Sequence, residues 1–306
     1  MAEESNFAIY TSIGANLAIA ATKFIAAALS GSSAMIAEGV HSLVDTADGA
    51  LLLFGRYRSR RPPDTDHLFG YGQELYFWTL IVAVLFFAVG GGMSTYEGIL
   101  HILNPEPISD PTWNYAALGV AALFDGASFV VALKNLRQES PGQSILHVIR
   151  HGKDPSVFTV VAEDIGDIAG LVIAFIGVYC SHHWHMPWID GAASIGIGLV
   201  MAAVAVVLIS ESRELLIGER ASSTLLATVR EAANRERDTL TVQRVLSMHL
   251  GPDDVLIVLD LNFAPGIPIA KASQAIARIE TYVQEKTDVV PHVYVESQAL
   301  REGAAG

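Results

Sequence analysis

The sequence has 306 residues, of which 51% are hydrophobic and 17% are charged, and its mean hydropathy is +0.40. Soluble domains carry about a quarter charged residues, so this balance indicates a membrane protein. The net charge of −13 argues against a nucleic-acid partner, because phosphate binding needs a basic surface, and the single cysteine excludes an internal disulfide.

Six apolar segments are long enough to cross a bilayer, which takes about 20 helical residues. In chain order they are Phe7–Leu29, Ala34–Phe54, Leu75–Glu97, Trp113–Leu136, Val157–Cys180 and Ile189–Ser210. The basic residues of the short loops follow the second and the fourth segment. The positive-inside rule therefore predicts a membrane domain over residues 1–216 with both chain termini in the cytoplasm. With no extended transit segment visible, a multi-pass protein of a bacterial cytoplasmic membrane is expected.

Residues 217–306 have the pattern of a soluble domain. The predicted elements are a helix at Ser222–Arg235, strands at Val242–Leu250 and Val255–Phe263, a helix at Pro268–Lys286 and a strand at Val289–Val295. The order helix, strand, strand, helix, strand is typical of a small α+β domain with its helices on one face of a sheet.

The second segment carries a stripe of ionisable side chains. Glu38, His41, Asp45 and Asp48 follow one another at steps of three, four and three, so they share one face of a helix. Charged groups inside a membrane are costly, so this face is expected to point into the helix bundle. His41 and Asp45 lie one turn apart, and imidazole nitrogen and carboxylate oxygen are both ordinary zinc ligands.

The fifth segment offers Glu163, Asp164 and Asp167, of which the two aspartates lie one turn apart. Two such helices packed together predict a tetrahedral metal site, because a bound cation would remove the repulsion between buried carboxylates. Two other readings stay open. The histidine and the acids could merely hydrogen-bond to neighbouring helices, or they could relay protons.

A second cluster, Asp64, Asp66 and His67, lies in the loop after the second segment. It could bind or gather metal ions, but a solvated loop with capping aspartates is at least as good a reading. Further histidines are weaker candidates for metal binding: His147, His151, His182, His183 and His185.

The residues from Ala37 to Thr46, reading AEGVHSLVDT, and from Asp66 to Gly72, reading DHLFGYG, resemble the cation diffusion facilitator family of metal transporters. The resemblance is strongest to the branch of the zinc transporter 9 type and extends over nearly the whole chain. Gly90–Gly92, the Glu163–Asp164 pair and Leu215–Glu219 are also similar to that branch.

The resemblance implies a homodimer of six-span protomers with a ferredoxin-like cytoplasmic domain, exporting divalent metal in exchange for protons. It places the transport site on His41, Asp45 and Asp164. Where zinc-selective members have a histidine four residues before the last aspartate, this chain has Val160. Glu163 or Asp167, and also Glu38, are therefore candidates to complete the set.

An oxygen-rich site raises Mn²⁺, Fe²⁺ and Co²⁺ as rivals of Zn²⁺. The family's loop site would fall on Asp64 and His67, but Tyr71 stands in place of a second histidine. In the C-terminal domain, His249 and His292 are the remaining metal candidates.

The expected protein is a secondary transporter and not an enzyme, with no permanently bound cofactor and with metal ions, protons, lipid and a second copy of itself as partners. Three alternatives stay open. The first is an intramembrane metalloprotease, although the sequence contains no HExxH motif. The second is a non-transporting scaffold, whose function would tolerate substitutions at the site. The third is a channel, which would conduct ions without a proton gradient.

Overall fold

The computed structural model forms two compact units, one of residues 1–57 and 75–213, the other of residues 58–74 and 214–306. Sequence analysis placed the boundary after residue 216 and kept the loop 58–74 with the membrane domain. The structure describes residues 2–105, 110–139, 155–236, 240–252, 254–264, 266–287 and 290–297.

Six long helices account for most of the described part of the first unit. They are α1 (Ala2–Ser30), α2 (Ser33–Ser59), α3 (Glu74–Leu103), α4 (Thr112–Glu139), α5 (Pro155–Trp184) and α6 (Trp188–Ile217). Helix α3 is continuous but contains a π-helical turn, Phe86–Gly91, between two α-helical halves.

Three stretches of the described residues are long and apolar enough to cross a membrane: Glu74–Leu103, Thr112–Val131 and Trp188–Ile217. The apolar part of α1, Asn16–Ser30, is shorter. Helices α2 and α5 carry the clustered acids. The predicted helical membrane protein is thus confirmed in outline by the three membrane-capable helices found among the described residues, and the six spans stay a prediction.

The junction between α1 and α2 is defined by a glycine and by a carboxylate from another helix. Gly31 has φ +75°, a left-handed conformation that ends α1, and its N–H bonds to the carbonyl of Ala27. The buried carboxylate of Asp190, at the start of α6, accepts hydrogen bonds from the N–H groups of Ser33 and Ala34 at 2.6 and 3.2 Å. Asp190 therefore caps α2 and fixes the start of the helix that carries the candidate ligands.

Helices α3 and α6 approach closely at paired glycines. A Cβ on Gly98 would lie 2.8 Å from the backbone nitrogen of Ile195, and one on Gly198 would lie 2.7 Å from the carbonyl oxygen of Gly91. Only glycine fits such close approaches, which are typical of helix pairs in membranes. The glycine spacing thus holds α6 against α3.

The second unit contains α7 (Ser223–Arg235), β1 (Leu240–His249), β2 (Asp254–Phe263), α8 (Ile269–Lys286) and β3 (Val290–Ser297). Strand β2 is central, antiparallel to β1 and parallel to β3, to which α8 forms the crossover. Alternate residues of β2 are fully buried and pack with the apolar faces of α7 and α8. The predicted order and type of these five elements are confirmed, and their ends agree to within two residues.

Candidate metal site

The acidic stripe of α2 is buried within the first unit. His41 is 1% exposed and Asp48 is fully buried, while Asp45 is partly buried. Four neighbouring apolar positions, Ala34, Met35, Ala37 and Val44, belong to the core of this unit. The stripe therefore faces the helix bundle, as the spacing of its residues predicts.

His41, Asp45 and Asp167 bring three ligand atoms to one place. Nε2 of His41 contacts Oδ1 of Asp167, and Nδ1 of His41 lies 3.6 Å from Oδ1 of Asp45. One ligand atom from each residue lies within 4.8 Å of the other two. No other group of three or more such side chains is found among the described residues.

The same atoms have no well-formed hydrogen bonds. Among the described residues, both ring nitrogens of His41 and the converging oxygens of Asp45 and Asp167 are buried without a partner of suitable hydrogen-bond geometry. Buried polar atoms are almost always paired, so an unpaired cluster needs an explanation. Two carboxylates and an imidazole that converge on one point form a suitable set for a divalent cation.

Phe86 covers one side of this cluster. Its ring is fully buried and meets the His41 ring edge-on, with the ring centroids 5.5 Å apart. Phe86 is also the first residue of the π-helical turn in α3, a distortion that is frequent at functional sites. The turn places an apolar wall against the imidazole and so restricts its rotation.

Asp164, the fifth-segment residue that the family resemblance places in the site, has different surroundings. Its Oδ1 lies 3.3 Å from the hydroxyl of Ser128 on α4, and it is not part of the three-residue group. Its other oxygen, Oδ2, is buried without a partner among the described residues. Val160 is 40% exposed. The structure thus brings Asp167, three residues further along α5, to His41 and Asp45.

Glu38, the first residue of the stripe, is held by a lysine from α1. Nζ of Lys23 lies 2.9 Å from Oε2 of Glu38 and donates to the hydroxyl of Ser42 at 2.8 Å, and both charged side chains are buried. A Cβ on Gly170 would lie 2.6 Å from Oε1 of Glu38, so α5 leaves space for this ion pair. Glu38 therefore pairs with a tethered cation.

The loop candidates Asp64 and His67 lie in the second unit. Oδ1 of Asp64 accepts hydrogen bonds from the N–H groups of Asp66 and His67 at 2.9 and 2.8 Å, and Oδ2 accepts one from the Tyr71 hydroxyl at 2.6 Å. These bonds, with that from Tyr71 the largest cause, lower the pKa of Asp64 to about 2. The geometry is that of a capped turn, and the tyrosine occupies the oxygen that a metal would need.

The same loop packs on the sheet of the second unit, which sequence analysis did not foresee. The Phe69 ring meets the rings of His292 and Tyr294 on β3, with centroids 6.0 and 6.1 Å apart. Gly251, in the turn between β1 and β2, is so close that a Cβ on it would lie 3.1 Å from Cα of Gly72. The FGYG motif thus provides the docking contacts of the loop.

The remaining histidine candidates form no metal-ligating group in the described part of the chain. Nδ1 of His249 lies 3.3 Å from the carbonyl oxygen of Gly251, and Nε2 of His292 lies 3.6 Å from Oδ1 of Asp254. His182 and His185 stack with their centroids 6.4 Å apart. His147 and His151 lie outside the described residues.

A comparison with protein families identifies the fold of the first unit. A model described as the cation efflux transmembrane domain matches residues 9–217, more than half of the chain. The chain belongs to the cation diffusion facilitator family. The family resemblance seen in the motifs of α2 and the following loop is thereby confirmed, and the buried cluster lies within the matched facilitator domain.

Individual facilitator relatives are moderately similar to this chain. The proton-coupled zinc antiporter SLC30A9, mitochondrial, of Xenopus laevis is 31% identical over 79% of this chain and 44% of its own length. The protein of the same name from Homo sapiens is 27% identical over 92% of this chain and 50% of its own. The manganese efflux system protein MneS of Bacillus subtilis is 26% identical over 66% of this chain and 64% of its own length. The chain thus spans about half the length of the two vertebrate relatives.

Proposed function

We propose that this protein transports divalent metal cations across a membrane, with Zn²⁺ as the first candidate, and exports them in exchange for protons. The observation that carries the proposal is the convergence of His41, Asp45 and Asp167, whose facing atoms are buried without a partner of suitable hydrogen-bond geometry among the described residues. Membership of the facilitator family and the names of the vertebrate relatives, which describe proton-coupled zinc antiporters, support the same function.

The proposed ligand set is His41 and Asp45 from α2 with Asp167 from α5. Asp164 and Glu163 remain candidates for a fourth ligand, because each keeps a buried oxygen without a partner among the described residues. Glu38 is the weakest candidate, since its carboxylate pairs with Lys23. Asp64 and His67 stay a lower-ranked second site, because hydrogen bonds occupy both oxygens of Asp64.

Exchange for protons follows from the chemistry of these ligands. Imidazole and carboxylate bind a metal only when deprotonated, so protons that enter the site compete with the metal. If α2 and α5 expose the cluster to one side of the membrane and then to the other, an acidic exterior releases the ion. No resident cofactor is needed, and the metal is cargo.

The architecture proposed for the transporter has six membrane-spanning helices, both termini in the cytoplasm and two copies of the chain. The distribution of loop arginines and lysines supports the orientation. The order and type of the elements in the second unit support a ferredoxin-like domain. A bacterial cytoplasmic membrane remains the proposed location, although the vertebrate relatives are named as mitochondrial.

A second candidate function is transport of Mn²⁺, Fe²⁺ or Co²⁺ by the same site. The three-residue group offers one nitrogen and two carboxylates, and oxygen-rich sites suit harder ions than zinc. A relative named as a manganese efflux protein agrees with this alternative.

The test is uptake into proteoliposomes that contain the purified full-length chain, using Zn²⁺, Mn²⁺, Fe²⁺ and Co²⁺ separately, with and without an acidic lumen. We expect uptake of one ion to depend on the gradient and to be lost in Asp45→Ala, while the loop variant Asp64→Ala keeps it. Uptake without a gradient would identify a channel. No uptake of any ion by folded protein would favour a non-transporting scaffold.

A further inference from the structure

Two more acids lie beside the three-residue group, both displaced in the same direction. Asp48 follows Asp45 by three residues on α2, and Glu163 precedes Asp167 by four residues on α5. One helical turn therefore separates each acid from a member of the group. Both steps lead away from His41, towards the Ser59 end of α2 and the Pro155 end of α5.

Asp48 is an unpaired carboxylate in a closed environment. It is fully buried, and neither of its oxygens has a hydrogen-bond partner among the described residues. Oε1 of Glu163 is also buried without a partner there. Isolated buried carboxylates are costly, so these oxygens need a proton or a cation to neutralise them.

The two acids are electrostatic neighbours. Glu163 lies near the carboxylates of Asp45, Asp48, Asp164 and Asp167, and the imidazole of His41 is the charge that acts on Asp48. The buried lysine of this region, Lys23, is engaged by Glu38 and Ser42. Among the described residues, neither Asp48 nor Glu163 forms a salt bridge with a lysine or an arginine.

We propose that Asp48 and Glu163 form a second cation position, made of oxygens alone, one helical turn from the His41, Asp45 and Asp167 group. It takes divalent ions that prefer carboxylate oxygen, of which Mn²⁺ is the convenient probe. In the proposed transport function, an ion that enters at the Ser59 end of α2 and the Pro155 end of α5 occupies this position before it reaches the three-residue group. Only this path of the ion rests on the proposed function. Binding of an ion at the position can be measured without transport.

The proposal gives the two positions different chemistry. The three-residue group contains an imidazole, which suits zinc, whereas the Asp48 and Glu163 pair offers no nitrogen. An ion held there by two carboxylates completes its shell with water or with a neighbouring oxygen. The second position should therefore bind more weakly and discriminate less between metals.

The test is the number of Mn²⁺ ions bound per chain at neutral pH, measured on the full-length protein in detergent by equilibrium dialysis with elemental analysis. We expect two ions of unequal affinity in the wild type. Asp48→Asn should lose the weaker ion while the affinity for the tighter one changes by less than about threefold, and Glu163→Gln should also lose the weaker ion. Asp45→Asn should lose the tighter ion, and the control Glu285→Gln, at an exposed position of α8, should keep both.

A readout on the wild-type protein avoids dependence on the folding of variants. Two Mn²⁺ ions one helical turn apart, about 5–6 Å, broaden each other's electron paramagnetic resonance lines. We expect this broadening to appear between one and two equivalents of Mn²⁺. Narrow lines with a single bound ion would overturn the proposal, as would an equal loss of both ions in Asp48→Asn. The proposed transport function would survive either result, because its test is gradient-driven uptake.

Discussion

The chain has two clusters of aspartate and histidine that look alike in the sequence and differ in the structure. In the buried cluster, His41, Asp45 and Asp167 bring together atoms that have no partner of suitable hydrogen-bond geometry among the described residues. In the loop cluster, the oxygens of Asp64 accept two backbone N–H groups and a tyrosine hydroxyl. The residue types and their spacing are nearly the same, with steps of four and three.

The difference teaches that available ligand atoms, and not residue types, indicate a cation site. A carboxylate whose lone pairs already accept hydrogen bonds stabilises its own loop, and a metal would have to displace those bonds. A buried carboxylate without such bonds gains the most from a cation. The predictions that follow compare a change in one cluster with a matched change in the other.

The largest expected effect is on stability, from removing a buried charge. Lys23→Met leaves Glu38 buried without its cation, which should lower the free energy of unfolding by about 3–5 kcal/mol. Arg58→Met breaks the partly exposed ion pair with Glu74 beside the loop and should cost less than about 1 kcal/mol. Thermal and denaturant unfolding in detergent measure both. Equal decreases in the free energy of unfolding would mean that burial does not determine the cost of breaking these two ion pairs.

The next effect concerns which acid of α5 binds the metal. Asp167→Asn should weaken Zn²⁺ binding at least about tenfold, because its oxygen contacts His41. Asp164→Asn should weaken binding less than Asp167→Asn does, since Oδ1 of that carboxylate lies against Ser128. Titration calorimetry measures the affinity of both variants. A loss of affinity in Asp164→Asn larger than that in Asp167→Asn would contradict this order.

A smaller effect is expected in the loop. Asp64→Ala removes the acceptor for two backbone N–H groups and for Tyr71, so amide hydrogen exchange over residues 64–72 should become faster. The rate of zinc uptake should stay within about twofold of the wild type. A loss of uptake as large as that of Asp45→Ala would show that the loop takes part in transport.

The smallest effect is a pH dependence of the same loop. The pKa of Asp64 is lowered from 3.8 to about 2, first by the Tyr71 hydrogen bond, so the ionised form stabilises the folded loop. That contribution is complete above the unfolded value and is lost as pH falls from about 4 towards 2. Exchange rates over residues 64–72 should therefore rise in this interval. In Tyr71→Phe the rise should be smaller and should end at a higher pH, because the pKa of Asp64 in the folded loop is then closer to its unfolded value. A rise of unchanged size in Tyr71→Phe would contradict the assignment.

Patterns within one element could be predicted from the sequence, whereas contacts between elements could not. The stripe of His41, Asp45 and Asp48 follows from helical periodicity, and the alternation in β2 follows from the period of a strand. Whether Asp167 or Asp164 faces His41 depends on the rotation of α5 about its axis relative to α2, and no local sequence pattern specifies that rotation. The family resemblance predicted a loop metal site at Asp64 and His67, but the contacts of Phe69 with β3 are long-range and no local pattern predicts them.

The two buried partners of α2 illustrate the same limit. Lys23 is a costly charge within an apolar segment of the sequence, but its pairing with Glu38 depends on the packing of α1 on α2. Asp190 lies at the start of a helix, where the sequence alone is compatible with a position at the membrane interface. The structure instead places it, fully buried, as the cap of α2.

The central claim is that the metal binds at the buried histidine and not at the loop histidine. X-ray absorption at the zinc edge, with less than one equivalent of Zn²⁺, tests it directly, because imidazole gives a distinct scattering pattern with a Zn–N distance of about 2.0–2.1 Å. The imidazole signal should be present in the wild type and in His67→Ala and absent in His41→Ala. An imidazole signal that survives in His41→Ala and disappears in His67→Ala would contradict the account.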